Sequence, residues 1–217
     1  MFHPGKMKAE TLSELSQAVG VLAPETVFDW PPARRRAVCG VRRVTAIDAS
    51  QIENGAALIR ELPRPDEILF AVMARDFSMA ALLPVFLRLA KARAQWAVIL
   101  TLGWNAGTTS MLAGLLREKQ IGAADVIASS YFVNADKAEY ERGKAELEQA
   151  GARVASGRCH VKALMLDFGD RQILATGSAN FRSAVCLESL VITTAPEPFA
   201  LFRSVAADIF KNPQSYA

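Results

Sequence analysis

Two side chains able to do acid–base and electrostatic work stand two residues apart, at His160 and Lys162. In an extended segment the side-chain period is two, so the imidazole and the ammonium share one face and one pocket. Val161, Ala163, Leu164, Met165 and Leu166 are the residues of a buried strand, which predicts that the polar pair is fixed on a rigid element. Asp167 ends this run, and Phe168, Gly169 and Asp170 turn the chain. Arg171 to Thr176 then returns as a second apolar strand. Gly177, Ser178, Ala179 and Asn180 follow where the end of that strand comes back toward His160, adding a hydroxyl and an amide. A cation and neutral hydrogen-bond donors can hold the non-bridging oxygens of a phosphate, while an imidazole can attack or move a proton near neutral pH. The set reads as a phosphate site.

His160, Lys162 and Asp167 reproduce a His-x-Lys-x4-Asp signature, and Gly177, Ser178 and Asn180 a downstream Gly-Ser-x-Asn. In this the chain resembles the phospholipase D superfamily, closely over residues 160 to 193 and in architecture alone over roughly 55 to 159. Nine residues separate Asp167 from Gly177, where the family has about six, a difference that a longer hairpin tip at Phe168 to Asp170 accommodates. The resemblance implies a phospholipase D-like α-β-α sandwich. It implies phosphodiester hydrolysis without metal or other cofactor, by attack of one His160 to give a phosphohistidine while a second His160 protonates the leaving oxygen. Lys162, Asn180 and Ser178 hold the phosphate oxygens, Glu188 bonds the far nitrogen of a histidine, and Asp167 ties strand to turn. The family builds its site from two motifs, and this chain has one copy, so a homodimer with a shared site is expected. A short single-motif chain resembles the dimeric bacterial endonucleases, which makes a nuclease acting on DNA or RNA the leading expectation. A lipid-directed phospholipase or phosphatidyltransferase, and a catalytically silent nucleic-acid-binding subunit of a larger complex, are the alternatives.

The elements that must carry these residues are legible from periodicity and punctuation. Residues 1–45 are expected to be an N-terminal extension with a basic segment, and 46–217 the catalytic domain. Within the extension Thr11 to Val21 is an amphipathic helix, with Leu12, Leu15, Val19 and Leu22 on one stripe. Arg34, Arg35 and Arg36, with Arg42 and Arg43, follow Trp30-Pro31-Pro32; they contact phosphates or form a solvated face. Asn54 to Leu62 is expected to be helical, Glu67 to Ala74 a strand buried on both faces, and Ser78 the cap of a helix through Lys91. Trp96 to Leu102 is the next strand. Trp104 and Asn105, just beyond it, are placed at the mouth of the site, because ligands gather past the carboxyl ends of parallel strands. A helix opened by Thr109 or Ser110 to about Lys119, a strand from Ala124 to Phe132 and a helix capped by Asn134 and ending at Gly151 continue the alternation. Ser189 to Thr193 is a strand, and a last helix starts at Thr194 and Pro196 and stops at Asn212-Pro213. The alternation predicts an α/β fold with a mostly parallel central sheet and helices on both faces.

Composition sets the outer bounds. Half of the 217 residues are hydrophobic, enough for a large core without metal or disulfide. Cys39, Cys159 and Cys186 are odd in number and lack Cys-x-x-Cys spacing, which indicates neither a disulfide framework nor a zinc site. A net charge of +3 permits a polyanionic substrate without requiring one. No run has the length of a membrane span and the first residues lack a secretory h-region, so no membrane contact and a cytoplasmic location are expected.

Overall fold

The computed structural model of the chain describes residues 37–38, 43–44, 59–74, 78–182 and 187–216. The helix expected at Thr11 to Val21, the cluster Arg34, Arg35 and Arg36, and residues 54–58 of the helix expected at Asn54 to Leu62 lie outside them. Its last four residues, 59–62, form no helix. Two short strands, β1 (Ala37–Val38) and β2 (Arg43–Val44), pair antiparallel.

The main sheet has seven strands: β3 (Ile68–Ala74), β4 (Trp96–Thr101), β5 (Ala124–Ser129), β6 (Ala152–Gly157), β7 (Ala163–Asp167), β8 (Gln172–Gly177) and β9 (Leu187–Thr193). Their order is β3-β9-β8-β7-β4-β5-β6. Only the β4–β5 and β5–β6 pairings are parallel; the other four are antiparallel, so the expected mostly parallel sheet is corrected to a mixed and mostly antiparallel one. The reason is in the connections. A parallel neighbour needs a long crossover, and helices provide one between β3 and β4, β4 and β5, and β5 and β6, but β3 is carried to the far edge of the sheet, so only the last two crossovers join neighbours. From β6 onward no helix joins strands among the described residues, and the links reverse direction.

Among the described residues there are five α-helices: α1 (Leu82–Ala90), α2 (Ala106–Arg117), α3 (Ser130–Ala135), α4 (Lys137–Gln149) and α5 (Pro196–Lys211). They cover both faces of the sheet. Leu83 and Phe86 of α1, Leu112 and Leu116 of α2 and Leu147 of α4 pack on Ala97, Ile99, Leu164, Leu166, Ile173 and Ile192. The alternate residues Val98, Leu100, Ala163, Met165 and Leu174 face Phe199, Ala206 and Ile209 of α5 instead. That split is the period-two signature of strands buried on two sides. β3 departs from it: Leu69 and Ala71 are buried, but Ile68 and Phe70 are 54% and 40% exposed, because this strand is an edge.

Several element ends differ from expectation because caps won over periodicity. Asn105 caps α2, accepting from Thr108 N at 3.0 Å while Thr108 Oγ1 accepts from Asn105 N, so this helix starts ahead of Thr109 and Ser110. Ser129 caps α3, which takes Ser130 to Phe132 out of the expected strand, and Asp136 rather than Asn134 caps α4. Ser78 caps a 3-10 turn at Met79–Ala81 that runs into α1, and Lys91 closes α1 in the left-handed conformation. No helix among the described residues is long and apolar enough to cross a membrane.

Candidate functional site

β4, β5, β6, β8 and β3 all end at one edge of the sheet, and β7 and β9 begin there. This edge collects the polar residues singled out from the sequence. β6 and β7 are separated by β4 and β5, so the five residues 158–162 that join them cross the carboxyl ends of both. His160 is the middle of that crossing. It precedes β7 rather than lying in it, as does Lys162, yet the expected sharing of a face holds: Lys162 Nζ is 3.2 Å from His160 Nδ1 and donates to the His160 carbonyl at 3.1 Å. The Lys162 backbone is tied down as well, its carbonyl accepting from Thr176 Oγ1 at 2.9 Å and from Gly177 N at 3.3 Å. Cys159, one residue before His160, is buried beneath the crossing, and burial pushes its thiol above the usual range against the opposing effects of its bond to the Val161 carbonyl and of Lys162.

The electrostatics are unbalanced in a way that suits an anion. The Lys162 side chain belongs to a residue only 9% exposed, and no carboxylate lies within ion-pair distance of it among the described residues. Burying an ammonium without a counter-charge is costly unless something supplies one. A bound anion does so. α1 and α2 both start at this edge, after β3 and β4, and their amino-terminal ends add positive potential.

The Gly177–Asn180 turn reaches the same edge. Gly177 packs against the β9 backbone so closely that a Cβ would collide with the Ser189 carbonyl oxygen. Ser178 Oγ accepts from Ser189 N at 2.8 Å, so this exposed hydroxyl fastens β8 to β9 and keeps its own proton to donate. Asn180 Oδ1 is buried without any hydrogen-bond partner. Such orphaned groups are rare in folded proteins and call for an explanation. Glu188 lies in β9, not before it, on the face it shares with Leu190 and Ile192; it is 8% exposed and its carboxylate meets no partner among the described residues. The His160 ring is bonded by Lys162, not by Glu188.

Three expected residues are placed elsewhere. Asp167 is at the opposite end of β7, where its carboxylate accepts from Gly169 N at 2.9 Å and Gln172 Nε2 at 3.4 Å, holding the turn in which Gly169 has φ +93°. Trp104 does not line a mouth. It is 1% exposed, stacks on Tyr140 with centroids 5.4 Å apart, meets Phe132 edge-on and donates to the Glu139 carbonyl. Asn105 is occupied in its capping box, which explains its place just before a helix without any ligand.

Thr101, and the second bond of Ser78 beyond its expected cap, escaped the sequence reading. Thr101, fully buried at the end of β4, accepts from Phe181 N at 3.1 Å and Gly103 N at 3.2 Å and donates to the Gly103 carbonyl. Ser78 donates to the Phe181 carbonyl at 2.6 Å, and Met79 N to the Asn180 carbonyl at 2.9 Å. Together they clamp the backbone on which Asn180 rides. The one available signal was a hydroxyl closing the apolar run of β4.

No protein-family model and no curated protein sequence matches this chain. Among solved structures it is similar to polyphosphate kinase from Porphyromonas gingivalis, at 13% identity and TM-score 0.47, over 63% of this chain and 25% of that one. It is similar to phosphatidylserine synthase from Haemophilus influenzae, at 14% identity and TM-score 0.45, over 72% and 40%. It is also similar to the archaeal chromatin protein TrmBL2, at 9% identity and TM-score 0.44, over 67% and 53%. The chain thus spans from a quarter to about half of the length of these structures, and likeness at this level carries no argument about activity.

Proposed function

We propose that this chain is a phosphodiesterase of the phospholipase D type, working without a metal through a phosphohistidine at His160, in a site completed by a second copy of the chain and acting on nucleic acid. The observation that carries the reading is the Lys162 ammonium, buried and bonded only to His160 among the described residues. In the reaction, Nε2 of one His160 attacks phosphorus as the P–O bond to the leaving group breaks. The leaving oxygen takes a proton from the other His160. That second imidazole then deprotonates water, which displaces the first from phosphorus. Lys162 and the Asn180 amide hold the non-bridging oxygens in both steps.

Protonation divides the two roles. Lys162 only donates, so an imidazole whose Nδ1 faces it is a neutral ring with its proton on Nε2. The acid is the copy that has taken up a second proton on Nδ1 and turned that nitrogen away from Lys162, so that giving up the Nε2 proton leaves a neutral imidazole. The attacking copy needs the proton on Nδ1 and an acceptor there, and Glu188 is the uncommitted carboxylate at this edge. A second chain is needed because in-line displacement places nucleophile and acid on opposite sides of phosphorus, and His160 is the one imidazole among the described residues. The test is hydrolysis of bis(p-nitrophenyl) phosphate, an oligonucleotide and phosphatidylcholine in excess EDTA. Turnover of the first two, abolished by His160→Ala, is expected. Activity lost to the chelator and restored by a divalent ion overturns the mechanism, and turnover of the lipid alone overturns the substrate class.

A further inference from the structure

We infer that Tyr131, with Arg158 beside it, forms a base-stacking subsite, so that the site takes single-stranded nucleic acid; the inference rests on the phosphodiesterase reading above and names its substrate. One exposed aromatic is ordinary on a protein surface. Its place is what matters here. Tyr131 is 67% exposed while its neighbours Phe132 and Tyr140 are buried against Trp104. The short helix that carries it begins where β5 ends, at the edge that holds His160. Residues 158–162 cross the ends of β5 and β4, which puts His160 within about 5 Å, one strand spacing, of the end of β5 in the direction across the sheet. Ser129 and Gly157 are register partners, so Arg158 leaves β6 next to where Ser130 and Tyr131 leave β5.

The charges around it match a nucleic-acid backbone. Arg158 and Arg182 are exposed and neither has an acidic partner among the described residues; Arg88, Arg93, Arg117 and Arg171 share that state, so it is the position of the first two that sets them apart. Arg158 stands on the β6 side of His160, and Arg182 on the other, two residues past Asn180. An aromatic face beside a cationic track is how single strands are held without reading sequence, since every base has a π face to offer. A duplex keeps its bases stacked on each other and cannot use a lone aromatic in this way.

The experiment measures binding, which does not depend on turnover. Fluorescence anisotropy of a labelled oligothymidine with the full chain carrying His160→Ala gives a Kd, compared with the same chain also carrying Tyr131→Ala, Tyr131→Phe or Arg158→Ala. Tyr131→Ala is expected to weaken binding about tenfold, while Tyr131→Phe, which keeps the ring, stays within about threefold. Arg158→Ala is expected to flatten the salt dependence by about 0.7 in log Kd per log salt, one phosphate contact on a single strand. A Kd that Tyr131→Ala leaves unchanged overturns the subsite. So does an equal loss for the duplex of the same sequence, or weakened binding that tracks a fall in oligomer mass by light scattering, which makes Tyr131 a contact between subunits. Loss of binding to phosphatidylglycerol vesicles without loss for the oligonucleotide assigns the surface to lipid. Failure of the wild type to hydrolyse any diester refutes the proposed reaction while leaving this Kd comparison intact.

Discussion

Replacing Thr101 with Val tests whether the turn bearing Asn180 is held from β4. Valine fills nearly the same space, so the change is one of hydrogen bonding and not of volume. Thr101 Oγ1 accepts from Phe181 N and from Gly103 N at a position with no solvent exposure, and valine leaves both donors buried and unpaired. Each orphaned donor costs about 1–3 kcal/mol, so the loss is roughly 2–6 kcal/mol, a large part of the stability of an ordinary domain. For a chain of this length that is a fall in Tm of at least about 4 °C. Urea denaturation followed by circular dichroism measures it, with Thr101→Ser, which keeps the hydroxyl, as the control. The turn should also loosen, so that kcat on a model diester falls in Thr101→Val and recovers in Thr101→Ser. A loss below about 0.5 kcal/mol, or a serine variant as weak as the valine one, refutes the reasoning.

Lys162→Met removes a buried charge that no carboxylate compensates, so it should leave Tm unchanged or raised while diester hydrolysis drops by about a hundredfold or more; a Tm loss like that of Thr101→Val makes the lysine structural. Mixing wild type with a growing excess of His160→Ala should drive activity per wild-type chain toward zero, since nearly every chain is then paired with a mutant, and constant specific activity means that each protomer works alone. Acid should weaken the α2–α4 contact. The hydrogen bond from Arg142 holds Glu139 below its ordinary value of 4.5; for Glu146 burial acts upward, and the bonds from Ser110, Thr109 and Arg142 outweigh it. Groups depressed in the folded state stabilise above their unfolded-state pKa and lose that contribution as pH falls through the folded-state values, so Tm should be level down to about pH 5 and decline below about 4.5. Arg142→Met should flatten that decline, and an unchanged acid slope in this variant argues against the assignment.

What the sequence determined by itself is whatever depends on near neighbours. The pairing of His160 with Lys162 follows from a period of two, and it survives even though the pair precedes the strand instead of lying in it. The hairpin around Gly169, the strands at 68–74 and 96–101 and the Ser78 and Pro196 helix starts are likewise local, set by apolar alternation, caps and turn residues. Tertiary structure decided what depends on distant partners. Alternating helices and strands do not say which strands become neighbours, and the placing of β7, β8 and β9 between β3 and β4 turned an expected mostly parallel sheet into a mostly antiparallel one. Trp104 has the chemistry of a ligand platform, but Tyr140, Phe132 and the Glu139 carbonyl enclose it, and none of these is local to it. Thr101 looked like the end of an apolar run; only a contact 80 residues away, to Phe181, makes it the support of the Asn180 turn. The burial of Lys162 and Asn180 Oδ1 without compensating partners is of the same kind, because desolvation is a sum over everything packed around a group and no stretch of sequence contains that sum.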